Sequence, residues 1–196
     1  MNAQLKSLLY QMLETEKGGL KIYSTALQCA INEDLKEEWN KYLEQTREHV
    51  EIVQEMFIQF NLDAQDSTPD SKIVAHIGES LVNAMTMAKA AGNMEAAQLV
   101  ACECVVLAET KDHLNWELLS KCAEEAEGEE REILMTATEQ VEDEEDEHLY
   151  HSKGWCRELW IQSLGMQAVL PPPEEEKDVK SAAEAAEAER EREEML

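Results

Sequence analysis

A few polar side chains stand where helices of a soluble core should carry apolar ones. Glu16 falls between Met12 and Tyr23 on a stripe of period 3.6, and Glu109 falls between Val106 and Trp116. Thr46 and His49 interrupt a third stripe between Tyr42 and Val53, and Glu145 and His148 a fourth between Val141 and Ser152. Taken singly, each has a plain reading: a hydrogen-bonded core histidine, or a glutamate at an exposed rim. Taken together they are three carboxylates and two imidazoles. Buried unpaired carboxylates cost several kcal/mol each, so such a cluster demands cations. The nearby Lys and Arg residues lie off these stripes. A pair of divalent or trivalent metal ions is the simplest remedy. Mixed oxygen and nitrogen ligands suit iron or manganese, with zinc as a further choice.

The elements that must position these residues are long helices. Periodicity predicts helices over about residues 3–30, 34–61, 94–124 and 130–164, with a shorter one over 71–91. Asn32 is placed to cap the second, and "NLDAQDSTPD" ends it with turn residues. Two short turns give two antiparallel hairpins, joined by a crossover that carries its own helix. The midpoint between Glu16 and His49 falls at Asn32–Glu33, in the first turn. The midpoint between Glu109 and His148 falls at Gly128–Glu129, in the second. Residues equidistant from a hairpin turn lie side by side, so each hairpin sets a Glu beside a His at one level. The hairpins also resemble each other: "ETEKGGLKIYSTAL" (14–27) overlays "LAETKDHLNWELLS" (107–120), and "TREH" (46–49) overlays "EDEH" (145–148). Four helices then bring Glu, His, Glu and Glu-x-x-His to one level of an all-α four-helix bundle with a long crossover, a ferritin-like topology.

The run Glu142 to Glu147 divides under the same geometry. Successive helical residues are about 100° apart, so Glu142, Asp143, Asp146 and Glu147 read as solvated face and Glu144 as flank. Only Glu145 and the following His148 point inward. His113 and His151 lie one turn from Glu109 and His148 and read as outer support or surface, with an extra ligand as the other choice. His76, in the crossover, reads as structural.

Of 196 residues, 43 are acidic and 17 basic, for a formal charge of −26. That charge repels nucleic acid and anionic lipid and attracts cations. No apolar run is long enough to span a bilayer, and no signal peptide is evident. Five cysteines without a CxxC pair read as reduced thiols of a cytoplasmic protein, and Cys102 reads as a core residue. Residues 1–170 make the bundle. Residues 171–196, Ala/Glu-rich after three prolines and without an apolar stripe, read as a mobile acidic tail.

At Glu16, Glu109, Glu145 and His148 the sequence resembles the ferritin-like di-iron carboxylate superfamily, which includes rubrerythrins. There, one Glu from each of two helices joins Glu-x-x-His from each of the other two. Glu16 with Tyr23 is similar to the rubrerythrin Glu, six residues, Tyr, and residues 37–57 resemble the bacterial YciE/YciF stress-response family. The resemblance implies two metal ions held by Glu16, His49, Glu109, Glu145 and His148, with Tyr23 and Trp116 supplying electrons or steadying ligands. It implies peroxidase or ferroxidase-like chemistry with dioxygen or peroxide. Thr46 departs from the pattern, since a Glu belongs there, and Gln45, Glu48 or a water are the substitutes to consider. The other reading is a non-catalytic metal-binding or scaffold bundle whose acidic surface meets a partner. A homodimer is compatible with either reading, and no residue specifies one.

Overall fold

A computed structural model describes all 196 residues, apart from the Glu193 side chain. The chain is all-helical: α1 (Ala3–Cys29), α2 (Glu33–Gln59), α3 (Pro69–Ala90), α4 (Met94–Glu125), α5 (Gly128–Ser163), α6 (Pro173–Glu176) and α7 (Ala182–Glu191), closed by a 3₁₀ turn. Among the described residues none is long and apolar enough to cross a membrane.

The boundaries follow from caps. Asn2, Asn32, Thr68 and Asn93 each accept a backbone N–H of the first turn of α1 to α4. Gly92 and Gly128 take positive φ at the turns before α4 and at the start of α5.

The helices α1, α2, α5 and α4 form a closed ring of neighbours, each packed on the next. Every neighbouring pair runs antiparallel. Trp116 meets Glu16 and Gln98 meets Ile31 across α1 and α4, while His49 meets Glu145 and Glu38 meets His151 across α2 and α5. The α3 helix returns the chain and lies outside the ring, along α1 and α4.

Two apolar clusters fill the ring. One gathers Ile22, Trp39, Cys102, Val105 and Trp155; the other gathers Leu9, Met12, Phe57, Leu119 and Leu134. The interrupting polar residues lie between them in sequence on every helix.

The α3 helix is only partly covered: Met85 is buried, whereas Ile73 and Ile77 are exposed, because α3 packs on one side only, against α1 and α4. His76 is exposed there too. The C-terminal segment, expected as an unpacked tail, lies against α5. Pro173, Val179 and Ala188 are buried, and Arg157 holds Glu174 with two parallel bonds of 2.7 and 2.9 Å. Gly154 makes this close approach possible, because a Cβ there would press into the Glu174 carboxylate and Pro172.

Candidate metal centre

Glu16, His49 and Glu145 offer ligand atoms within 4.8 Å of one another, and so do Glu109, Glu145 and His148. Glu145 belongs to both triads. Its Oε1 lies 3.0 Å from His49 Nδ1 and 3.8 Å from His148 Nδ1. His49 Nδ1 is 3.8 Å from Glu16 Oε2, and His148 Nδ1 is 3.6 Å from Glu109 Oε2. The two imidazoles lie side by side with centroids 5.6 Å apart. All five side chains are buried. Glu16 Oε2, Glu109 Oε2, Glu145 Oε2 and His49 Nδ1 are buried without hydrogen-bond partners. Native interiors rarely tolerate such orphans, and here four of them sit on residues of the same two triads.

The outer ends of these groups are held. Trp116 Nε1 donates to Glu16 Oε1 at 2.8 Å. Tyr23, fully buried on α1, stands beside Glu109, with no well-formed hydrogen bond from its hydroxyl. The placement is reciprocal: each aromatic residue, seven positions beyond its own helix's Glu, stands beside the Glu of the antiparallel partner. The histidines are held in the same reciprocal way. His49 Nε2 lies 2.8 Å from Glu144 Oε2, and His148 Nε2 lies 3.0 Å from Gln45 Oε1. Gln45 and Glu144 each stand four positions before a histidine and serve the histidine of the other hairpin. Fixing Nε2 leaves Nδ1 as the inward atom.

The candidates for the place of the missing Glu now separate. The Thr46 hydroxyl donates to its own helix at Tyr42 O, and Glu48 is exposed. Gln45 steadies His148. Thr46 packs close to α1 at Gly19, where a Cβ would stand 3.1 Å from Thr46 Cγ2. The residue equivalent to Gly19 in the second hairpin is Asp112. Its buried carboxylate carries an unpartnered Oδ1 and is the largest charge acting on Glu16. Periodicity overlooked Asp112 because it is flanked by Lys111 and His113 and resembles a surface run. The overlay of the two hairpins, Gly19 on Asp112, carried the signal.

Burial and mutual repulsion dominate the electrostatics. Burial, then the charge of Asp112, pushes the Glu16 carboxyl well above the usual range. Burial, then Glu16 and Glu109, does the same to Glu145. Asp112 is raised by burial, then by Glu145 and Glu109. Burial opposes charge on His49, but its contact with Glu144 and the surrounding carboxylates outweigh this and raise it.

Two parts of the acidic run differ from expectation. Glu147, read as solvated, is buried and pairs with Lys41, and Glu144, read as flank, holds His49. Glu142 and Asp143 are exposed, and Asp146 meets His113 Nε2 at 2.6 Å near the surface. Comparison of the chain with protein-family models, curated proteins and solved structures gives no match.

Proposed function

We propose that the protein is a ferritin-like dinuclear metal protein, with iron the first choice and manganese or zinc the alternatives. In this reading it reacts with dioxygen or peroxide in oxidative or metal stress defence, as an oxidoreductase of peroxidase or ferroxidase type. One observation carries it: two buried Glu/His triads share Glu145, and four of their buried polar atoms have no hydrogen-bond partner. The donors fit a metal pair. Each triad supplies two carboxylates and one imidazole, and Glu145, common to both, would serve both ions. With Asp112, four buried carboxylates surround the site, enough negative charge to balance two divalent ions. The up-down-down-up order of α1, α2, α4 and α5 supports the ferritin-like reading of the bundle.

A bound iron pair supplies the redox chemistry with dioxygen or peroxide. The chain supplies the rest. Glu16 and Glu109 close the two ends of the centre, and His49 and His148 present Nδ1. Trp116, Glu144 and Gln45 hold these groups from outside, which fixes geometry before an ion arrives. Asp112, raised by burial and neighbouring charge, holds a proton at the edge of the site and can release it when cations neutralise the carboxylates. A cavity of about 310 Å³ between α4 and α5, lined by Trp116, Glu145, His113 and Asp146, gives small molecules and cations a route inward.

A second reading is a non-catalytic metal buffer. The pairing of Thr46 with Gly19 favours it, since one hairpin brings no Glu-x-x-His carboxylate to the centre. Elemental analysis of the purified protein, followed by a peroxide-consumption assay, separates the two. At least two ions per chain with turnover supports the oxidoreductase, and at least two ions without turnover supports the buffer. A chain that binds no Fe(II), Mn(II) or Zn(II), and whose thermal stability ignores all three, overturns both.

A further inference from the structure

One turn beyond His148, α5 carries a second cluster that the central site does not use. Glu38 of α2 and Glu147 and His151 of α5 bring ligand atoms within 4.8 Å of one another. His151 Nδ1 lies 3.1 Å from Glu38 Oε1. The ring is 2% exposed, and its Nε2 is buried with no partner. The Tyr42 hydroxyl donates to Glu38. Burial works against charge on Glu38, yet the bonds from His151 and Tyr42 hold its carboxyl below the usual range, so it is an anion at neutral pH. A third carboxylate arrives from the C-terminal segment. Glu175 of α6 accepts from Trp155 Nε1, and Glu38 and His151 are among the charges that act on it.

Among the described residues, the ammonium bonded to this group is Lys41, which pairs with Glu147. Lys41 is half exposed on a flexible stem, whereas Glu147 is buried. A lysine so placed can swing into water at small cost, and a doubly charged ion satisfies buried carboxylates better than one partly solvated ammonium. Carboxylate oxygens with one imidazole suit Mn(II), Fe(II), Co(II) or Zn(II). Tyr42 links the two clusters: its ring centroid lies 4.1 Å from that of His148, and its hydroxyl bonds Glu38.

We propose that Glu38, Glu147 and His151 form a mononuclear divalent-metal site, separate from the central pair, that an ion occupies by displacing Lys41 from Glu147. The C-terminal segment covers it, with Glu175 as the added carboxylate.

Full-length protein titrated with Zn(II), and in parallel with Co(II), tests this by ions bound per chain. Wild type should bind one ion more than His151→Ala or Glu38→Gln, with the Co(II) spectrum of the remaining ions unchanged. The double variant Glu16→Gln/Glu109→Gln should keep that one ion. Lys41→Met should tighten it by about fivefold, the worth of a half-exposed ion pair that no longer has to be broken. Glu38→Gln preserves size and hydrogen bonding, so it reads the site even if His151→Ala misfolds. The proposal is overturned if His151→Ala and Glu38→Gln bind as many ions, as tightly, as wild type. It is equally overturned if Lys41→Met only lowers stability and leaves metal affinity alone, because the cluster is then a structural ion-pair network. A wild-type chain that holds a single ion, lost in Glu38→Gln, supports this site and counts only against the central one.

Discussion

At the scale of single residues, the candidate centre depends on what stands behind each ligand. Trp116, read from sequence as supplying electrons or steadying a ligand, donates to Glu16 and so acts on the carboxylate's direction. Trp116→Phe keeps the ring and removes the donor. Metal affinity should fall about tenfold, the usual effect of losing such an outer partner, while the helical circular dichroism is unchanged; competition with a chromophoric chelator measures it. Asp112→Asn tests the fourth carboxylate. In metal-free protein it replaces a buried carboxyl, which near neutral pH must either keep a proton or carry a charge beside Glu16 and Glu145, with a neutral amide, so stability to urea should rise by about 1 kcal/mol. In the loaded protein the same change should weaken metal binding. A variant that loses stability without metal would show that Asp112 is a structural hydrogen-bonding group. These partners were less legible than the ligands, because a residue's role behind a ligand depends on a neighbouring helix's register and not on its own stripe.

At the scale of elements, the helices and their turns were legible because caps and periodicity are local. Asn32 caps α2 as its sequence position suggests. The C-terminal segment was not legible. Its packing rests on a contact between distant positions, Gly154 against Glu174 and Pro172, and on the Arg157 fork. Composition alone shows only an acidic, alanine-rich stretch. Gly154→Ala places a methyl where that segment lies, so residues 171–196 should lift from α5. Limited proteolysis should then cut within the segment much faster than in wild type, and the Glu38/Glu147/His151 site should bind metal less tightly. Uncut protein would mean that the Glu174 side chain simply moves aside.

At the scale of the whole molecule, the buried carboxylates tie stability to pH and, in the proposed function, to metal. Glu16, Asp112 and Glu145 keep protons to higher pH when folded than when unfolded, and His49 does likewise. The folded state therefore binds more protons than the unfolded one over this range. Its stability falls as pH rises. For chelator-treated protein, the melting temperature should drop between about pH 5 and pH 8, the range above the ordinary carboxylate values. Glu38, Glu144 and Glu158 are lowered and act in the opposite sense, but only as pH falls below the ordinary carboxylate range. Zn(II) or Mn(II) should remove most of the alkaline loss, because cations replace the protons. A metal-free melting temperature that rises from pH 5 to pH 8 would show that the carboxylates are not buried in solution as they are in this fold.

Taken alone, the sequence determined the helices, their hairpin pairing and the five inward polar residues Glu16, His49, Glu109, Glu145 and His148. Each follows from a period of 3.6 and from distance to a turn, which are properties of one segment or of two adjoining ones. Only the tertiary structure decided that Glu145 serves both triads, that Asp112 joins them while Gly19 and Thr46 close the opposite corner, and that Glu147 and His151 turn toward Glu38. Those facts depend on how four helices rotate and approach one another. Rotation and approach are set by packing summed over the whole core, so no stretch of sequence carries them by itself.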